Sequence, residues 1–184
     1  MSTLEVNTVK PISGSNTITL GESGDTIALA SGASQTLAVN TPAFRAQLSS
    51  AQSISDATYV KVQVDSEDFD TDNCYDNSSN YRFTPNVAGK YFVYAGIASY
   101  GGATDSLLET NPRIRKNGSN VVGASTSFVS ASKFHVATEY MSVVVTMDGS
   151  SDYVELFQYA DSTSSPNVQA SGLTYFGAYR LVGA

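Results

Sequence analysis

Cysteine and histidine are nearly missing from this 184-residue chain, which holds only Cys74 and His135. An internal disulfide is therefore excluded, as is a zinc site drawing two or more Cys or His ligands from one chain. Charge is scarce too, at 15% of residues, and leans to one sign, with 10 Lys and Arg against 17 Asp and Glu. The net charge of −7 argues against nucleic acid and anionic lipid as partners, because both are held by clustered cations. No run of 18 apolar residues occurs, so membrane insertion is not expected. The opening MSTLEVNTVK lacks the basic and apolar segments of a signal peptide, and the expectation is a soluble chain outside the general secretory route. What is present is 41% hydrophobic residues, enough for one core, in a background of Gly, Ser, Thr, Asn and Asp that favours strands and turns.

Two textures divide the chain. Residues 1–42 contain no aromatic side chain, and a short unit recurs in them: TITLGESGD from Thr17, TIALASGASQ from Thr26 and TLAVN from Thr36. Ile18, Ile27 and Leu37 keep nearly constant spacing, as do Leu20, Leu29 and Val39, so each unit reads as a four-residue strand followed by a Gly/Ser turn. One apolar pair per unit does not offset an ordering cost of about 1–2 kcal/mol per residue, so such a stack needs identical chains around it, as in a fibrous stem. The alternative is a flexible linker.

From residue 43 the chain turns aromatic and strand candidates follow closely. They are YVKVQV from Tyr59, YRFTP from Tyr81, KYFVYAGIASY from Lys90, RIRKNGSNVV from Arg113, FHVATEYMSVVVTM from Phe134, DYVELFQYA from Asp152 and LTYFGAYRLV from Leu173; AFRAQLSSAQ from Ala43 is open to one or two helical turns and is read as an entry strand. Asn117-Gly118 between two alternating runs is a hairpin signal, because both residues tolerate positive φ. The pattern predicts an all-β sandwich or jelly roll over 43–184, preceded by the strand-repeat stem of 1–42.

Several of these residues fall in a known order. Asp70 stands five before Tyr75, and Phe83 stands six before Gly89, which Lys90 and Tyr91 follow; then come the KNG turn at Lys116, the run Asp152, Val154, Leu156, and the closing TYFGAYRLV. In this the chain resembles the C1q-like domain, the trimeric jelly roll shared with the tumour necrosis factor superfamily. Val64, Val93 and Ala95 depart from the aromatics that the family prefers, while keeping apolar character. The arrangement of leader, head and terminal FGAYRLVGA also resembles structural proteins of tailed bacteriophages. That resemblance implies a homotrimeric virion fibre or appendage, joined to other virion proteins by its stem and contacting a host cell-surface glycan or protein.

Alternation along 90–97 places Tyr91, Val93, Ala95 and Ile97 between two sheets and points Phe92 and Tyr94 outward. The C1q resemblance implies that this outward face meets its copies around a threefold axis, with Tyr179 and Phe157 joining the same seam. A register off by one would instead make these aromatics ordinary core. Six acidic residues crowd DSEDFDTDNCYDN, and Asp68, Asp70, Asp72 and Asp76 are candidates for Ca²⁺. The EF-hand template fails at its sixth and twelfth positions, and a solvated acidic loop is the competing reading. His135 has no nucleophile turn beside it, and Cys74 among carboxylates should keep a normal or raised pKa. No catalytic set is therefore assigned, and the expected role is non-enzymatic. Recognition is expected in the loops Tyr100–Asp105 and Asp161–Val168. A fibre or fibre tip, a capsid decoration protein without a receptor role, and a soluble C1q-like recognition module are the three readings open from sequence.

Overall fold

The computed structural model describes residues 39–128, 134–170 and 172–182, together with Gly24. The chain divides into two compact units, residues 1–37 and 38–184. The repeats expected over 1–42 lie outside the described residues, save for their last few. Of these, Val39 and Asn40 are exposed and belong to no strand, ahead of Pro42, which has no N–H to give to a ladder.

Every regular element among the described residues is a strand. In chain order these are β1 (Ala43–Gln47), β2 (Gln52–Ser53), β3 (Val60–Lys61), β4 (Ser66–Asp70), β5 (Tyr75–Asp76), β6 (Arg82–Phe83), β7 (Gly89–Tyr100) and β8 (Leu107–Thr110). They continue with β9 (Arg113–Lys116), β10 (Ser119–Gly123), β11 (Thr126–Ser127), β12 (Val136–Met147), β13 (Val154–Gln158), β14 (Ala160–Ser162), β15 (Asn167–Val168) and β16 (Tyr175–Arg180). All ladders are antiparallel. In the seven-stranded sheet β12 runs along one edge of β7; β16 and β15 share the other edge, followed by β1 and β2, with β4 outermost beyond β1. The six-stranded sheet runs β10-β9-β13-β6-β5, with β3 also on β13, and a small sheet joins β11, β8 and β14.

The expected facing of β7 holds. Tyr91, Val93 and Ile97 are fully buried and Ala95 nearly so, whereas Phe92 and Tyr94 stay half-exposed on the opposite side. The first strand is also where expected. Phe44 on β1 stacks on Tyr75 at 4.3 Å and on Phe83 at 4.6 Å, and meets Phe176 edge-on at 5.2 Å. Phe44 and Phe176 belong to the seven-stranded sheet, Tyr75 and Phe83 to the six-stranded one, so the cluster ties the two layers together. The two core tyrosine hydroxyls are satisfied: Tyr75 donates to the Val64 carbonyl and Tyr91 to the Val87 carbonyl, each at 2.7 Å.

The motif residues act through local hydrogen bonds. Asp70 accepts from the Tyr75 N–H at 2.8 Å, which sets the chain's return into β5. At the KNG turn, where Asn117 and Gly118 both take positive φ, the Asn117 amide donates to Asp152 and its oxygen accepts from the Tyr153 N–H; Lys116 pairs with Asp152 at 2.7 Å. Two differences from expectation concern lengths. Strand 59–64 shrinks to Val60–Lys61, although Val62 and Val64 remain buried, and the acidic stretch is not one loop because β4 and β5 occupy much of it. SEDFD forms a strand because Phe44 to Gln47 supply a ladder to pair with, and its other edge is open to water.

The aromatic cluster carries the sandwich, so Phe44→Ala is expected to lower the unfolding free energy by about 3–5 kcal/mol, measured by urea denaturation.

Candidate interaction surfaces

The outward face of the seven-stranded sheet is built in cross-strand rows. Register places Phe69, Arg45, Gly177, Tyr94 and Ser142 side by side across five strands; the next row runs Ala43, Tyr179, Phe92, Val144. Another row runs Gln47, Tyr175, Gly96, Tyr140. The rings form one continuous group: Phe92 lies 6.1 Å from Tyr94 and 5.5 Å from Tyr179, and Tyr94 lies 6.2 Å from Tyr175. The Arg45 guanidinium sits over Tyr175 at 5.1 Å and pairs with Asp68. Tyr140, Val144 and Phe69 are 63%, 50% and 47% exposed, so a broad apolar face meets solvent.

Two glycines let these rings come close to the sheet backbone. A methyl at Gly177 would overlap the Tyr94 ring, and one at Gly96 would come within 2.7 Å of the Tyr175 ring and 3.1 Å of Tyr140. Cross-strand aromatics thus cover glycines whose side-chain space they occupy.

Of the four residues expected in the seam, Phe92, Tyr94 and Tyr179 share this face. Phe157 does not. It lies on β13 in the other sheet, under Arg115 at 4.1 Å, with the Lys61 ammonium 5.9 Å away. Period-two alternation tells on which side of its own strand a residue lies, not to which sheet the strand belongs. Tyr175, Tyr140, Gly96 and Gly177 escaped the sequence reading, although Tyr175 and Tyr179 share one phase of β16 and Tyr140 and Val144 one phase of β12.

The calcium candidates are not brought together as a ligand set. Asp68 pairs with Arg45, Asp70 holds the Tyr75 N–H, and Asp72 accepts from Thr71. Asp76 accepts from the backbone N–H groups of Ser78, Ser79 and Asn80. Among the described residues no group of three or more acidic, Cys or His side chains is arranged to hold a metal ion. The backbone donors of Ser79 and Ser78 hold the Asp76 carboxyl well below the usual carboxylate range. Asp76 also lines an open depression of about 460 Å³ with Asn73, Cys74 and Arg82. The Cys74 thiol is pushed up, first by burial and further by Asp70 and Asp72, in line with its expected inertness. His135 is exposed and packs edge-on against Tyr100 at 4.5 Å.

The two loops expected to carry recognition do meet. The Ser162 hydroxyl donates to the Gly101 carbonyl, and the Gly102 Cα faces the Ser165 backbone so closely that a side chain would not fit.

No protein-family model matches the sequence, and no curated protein does. Solved structures do match. Murine APRIL, in a crystal structure at pH 5.0, aligns with a TM-score of 0.56 at 12% identity, over 76% of this chain and 98% of that one. The Eiger TNF from S. frugiperda aligns with a TM-score of 0.55 at 12% identity, over 77% and 93%. The expected fold class is thereby shown: the head is a TNF-like jelly roll.

The glycine seats predict a coupling. Gly177→Ala should destabilise by about 1–3 kcal/mol and lose most of that cost in a Tyr94→Ala background, read from a denaturation double-mutant cycle. Asp76 predicts a pH dependence: its folded pKa lies below the unfolded value of about 3.9, so its stabilisation is complete above that value and fades as pH falls through the folded pKa. The melting temperature of the parent protein should therefore fall more than that of Asp76→Asn between about pH 5 and about pH 2.

Proposed function

We propose that the chain is a non-enzymatic structural protein of a phage virion, a homotrimeric fibre or fibre tip that contributes to attachment at the host surface. The observation that carries the reading is the exposed aromatic face of the seven-stranded sheet. Phe92, Tyr94, Tyr175 and Tyr179 form a connected aromatic surface, and a second and third copy of the same surface are its occupants. The resemblance to the C1q-like domain implies a threefold axis at that face, and the repeats read from the sequence of 1–42 carry too little apolar surface for one copy alone. Residues 1–42 are the segment that joins other virion proteins. Three copies in one assembly multiply weak contacts to a cell-surface glycan or protein, so low single-site affinity suffices for attachment. Localisation on an exposed virion appendage follows from the bacteriophage resemblance.

Light scattering on a sizing column tests the assembly. The parent chain is expected at trimer mass, and Tyr94→Asp with Tyr179→Asp should convert it to folded monomer, checked by circular dichroism. Phe157→Asp, on the other sheet, should leave the trimer intact. A monomeric parent chain would overturn the reading.

A further inference from the structure

The acidic chain hides a cationic face. Of its 10 Lys and Arg residues, Lys61, Arg82, Arg113 and Arg115 gather on the solvent side of the six-stranded sheet. Register sets Arg82 and Arg115 on either side of Glu155, and Lys61 and Arg113 on either side of Phe157. Glu155 is buried and pairs with Lys61. Among the described residues Arg82, Arg113 and Arg115 have no carboxylate within ion-pair distance, in a chain whose acids outnumber its bases.

These three guanidiniums are held by rings instead. Arg115 lies over Phe157 at 4.1 Å and over Tyr59 at 5.0 Å, Arg113 over Tyr59 at 6.0 Å, and Arg82 over Tyr153 at 4.5 Å. Nε of Arg113 donates to the Tyr59 hydroxyl at 3.2 Å and Nε of Arg115 to Asn120 at 3.0 Å. Stacking fixes the plane of each guanidinium, and Nε bonding uses one donor, so the terminal N–H groups stay available in a set orientation. That is the preorganised, bidentate form in which arginine takes carboxylate and sulfate.

The surroundings select among anions. On β13, β9 and β6 the backbone groups are committed to ladders on both sides, so the face cannot accept an added peptide strand. Arg113 and Arg115 stand about 7 Å apart along β9, and Arg115 and Arg82 about 10 Å apart across β13. A flexible polymer with an anionic group on successive units fits such a spread of point contacts. We infer that this face binds an acidic polysaccharide, with Arg82, Arg113 and Arg115 taking carboxylates or sulfates of successive sugars and Lys61 at the margin. The inference rests on the attachment reading for its biological use and names the chemistry of the glycan contacted.

Biolayer interferometry of the full chain over immobilised polygalacturonate, dextran sulfate and neutral dextran tests it. Binding is expected to one or both acidic polymers and not to dextran, weakening steeply with salt. Arg115→Ser should weaken it about tenfold, Arg115→Lys by a smaller factor, and Lys90→Ser, on the seven-stranded sheet, by less than about twofold. Melting curves on each variant confirm folding, and the salt dependence of the parent protein stands without any variant. Absence of binding to both acidic polymers, equal loss in Lys90→Ser, or equal binding to duplex DNA would overturn the inference. Solution mass on the same samples separates the two proposals: a trimer that ignores both polymers defeats only the polysaccharide site, and a monomer that binds them defeats only the fibre.

Discussion

The contact of the Phe44 ring with Tyr75 and Phe83 is the constraint on which the described architecture depends. It is the point where the first strand of one sheet meets the paired β5 and β6 of the other, and each ring stacks close to parallel on Phe44. Tyr75 reaches the cluster because Asp70 fixes the turn before it, and Phe83 because β6 is bound to β13. With those rings in place, Phe176 and Tyr91 complete the filling from the β16 and β7 side. In a chain whose single cysteine excludes an internal disulfide, five aromatic rings supply the cross-sheet contact.

Much of this was legible in the chain. β7 alternates clearly from Tyr91 to Ala95, a slip by one position would have buried Phe92 and Tyr94 together, and the inward set came out as read. The Asn117-Gly118 hairpin needed only local conformational preference. What stayed hidden depended on pairing between distant segments. SEDFD has poor strand propensity and becomes a strand only as the partner of β1. Phe157 carried the right phase and the wrong sheet, because sheet membership is set by which ladder forms. The net charge argues against nucleic acid and anionic lipid and says nothing of local grouping: Lys61, Arg82 and the two arginines of RIRK come together only through their common neighbour β13.

The two outer faces of the head are thus chemically unlike. One is aromatic, with a single arginine that is paired; the other sets three arginines on rings around one buried carboxylate. Each sheet alternates, so every inward residue serves the same core while the outward residues diverge without disturbing it. A sandwich built this way can dedicate one side to its own kind and the other to something foreign.

Gly177 and Gly96 place a limit on how the aromatic face can change over time. Because Tyr94 fills the space above Gly177, and Tyr175 with Tyr140 the space above Gly96, neither member of these sets is free to vary alone. A larger residue in place of a glycine evicts the ring, and a small residue in place of the ring uncovers bare backbone. Drift across this face must therefore proceed by paired replacement, through an intermediate that is worse than either end, which slows its remodelling.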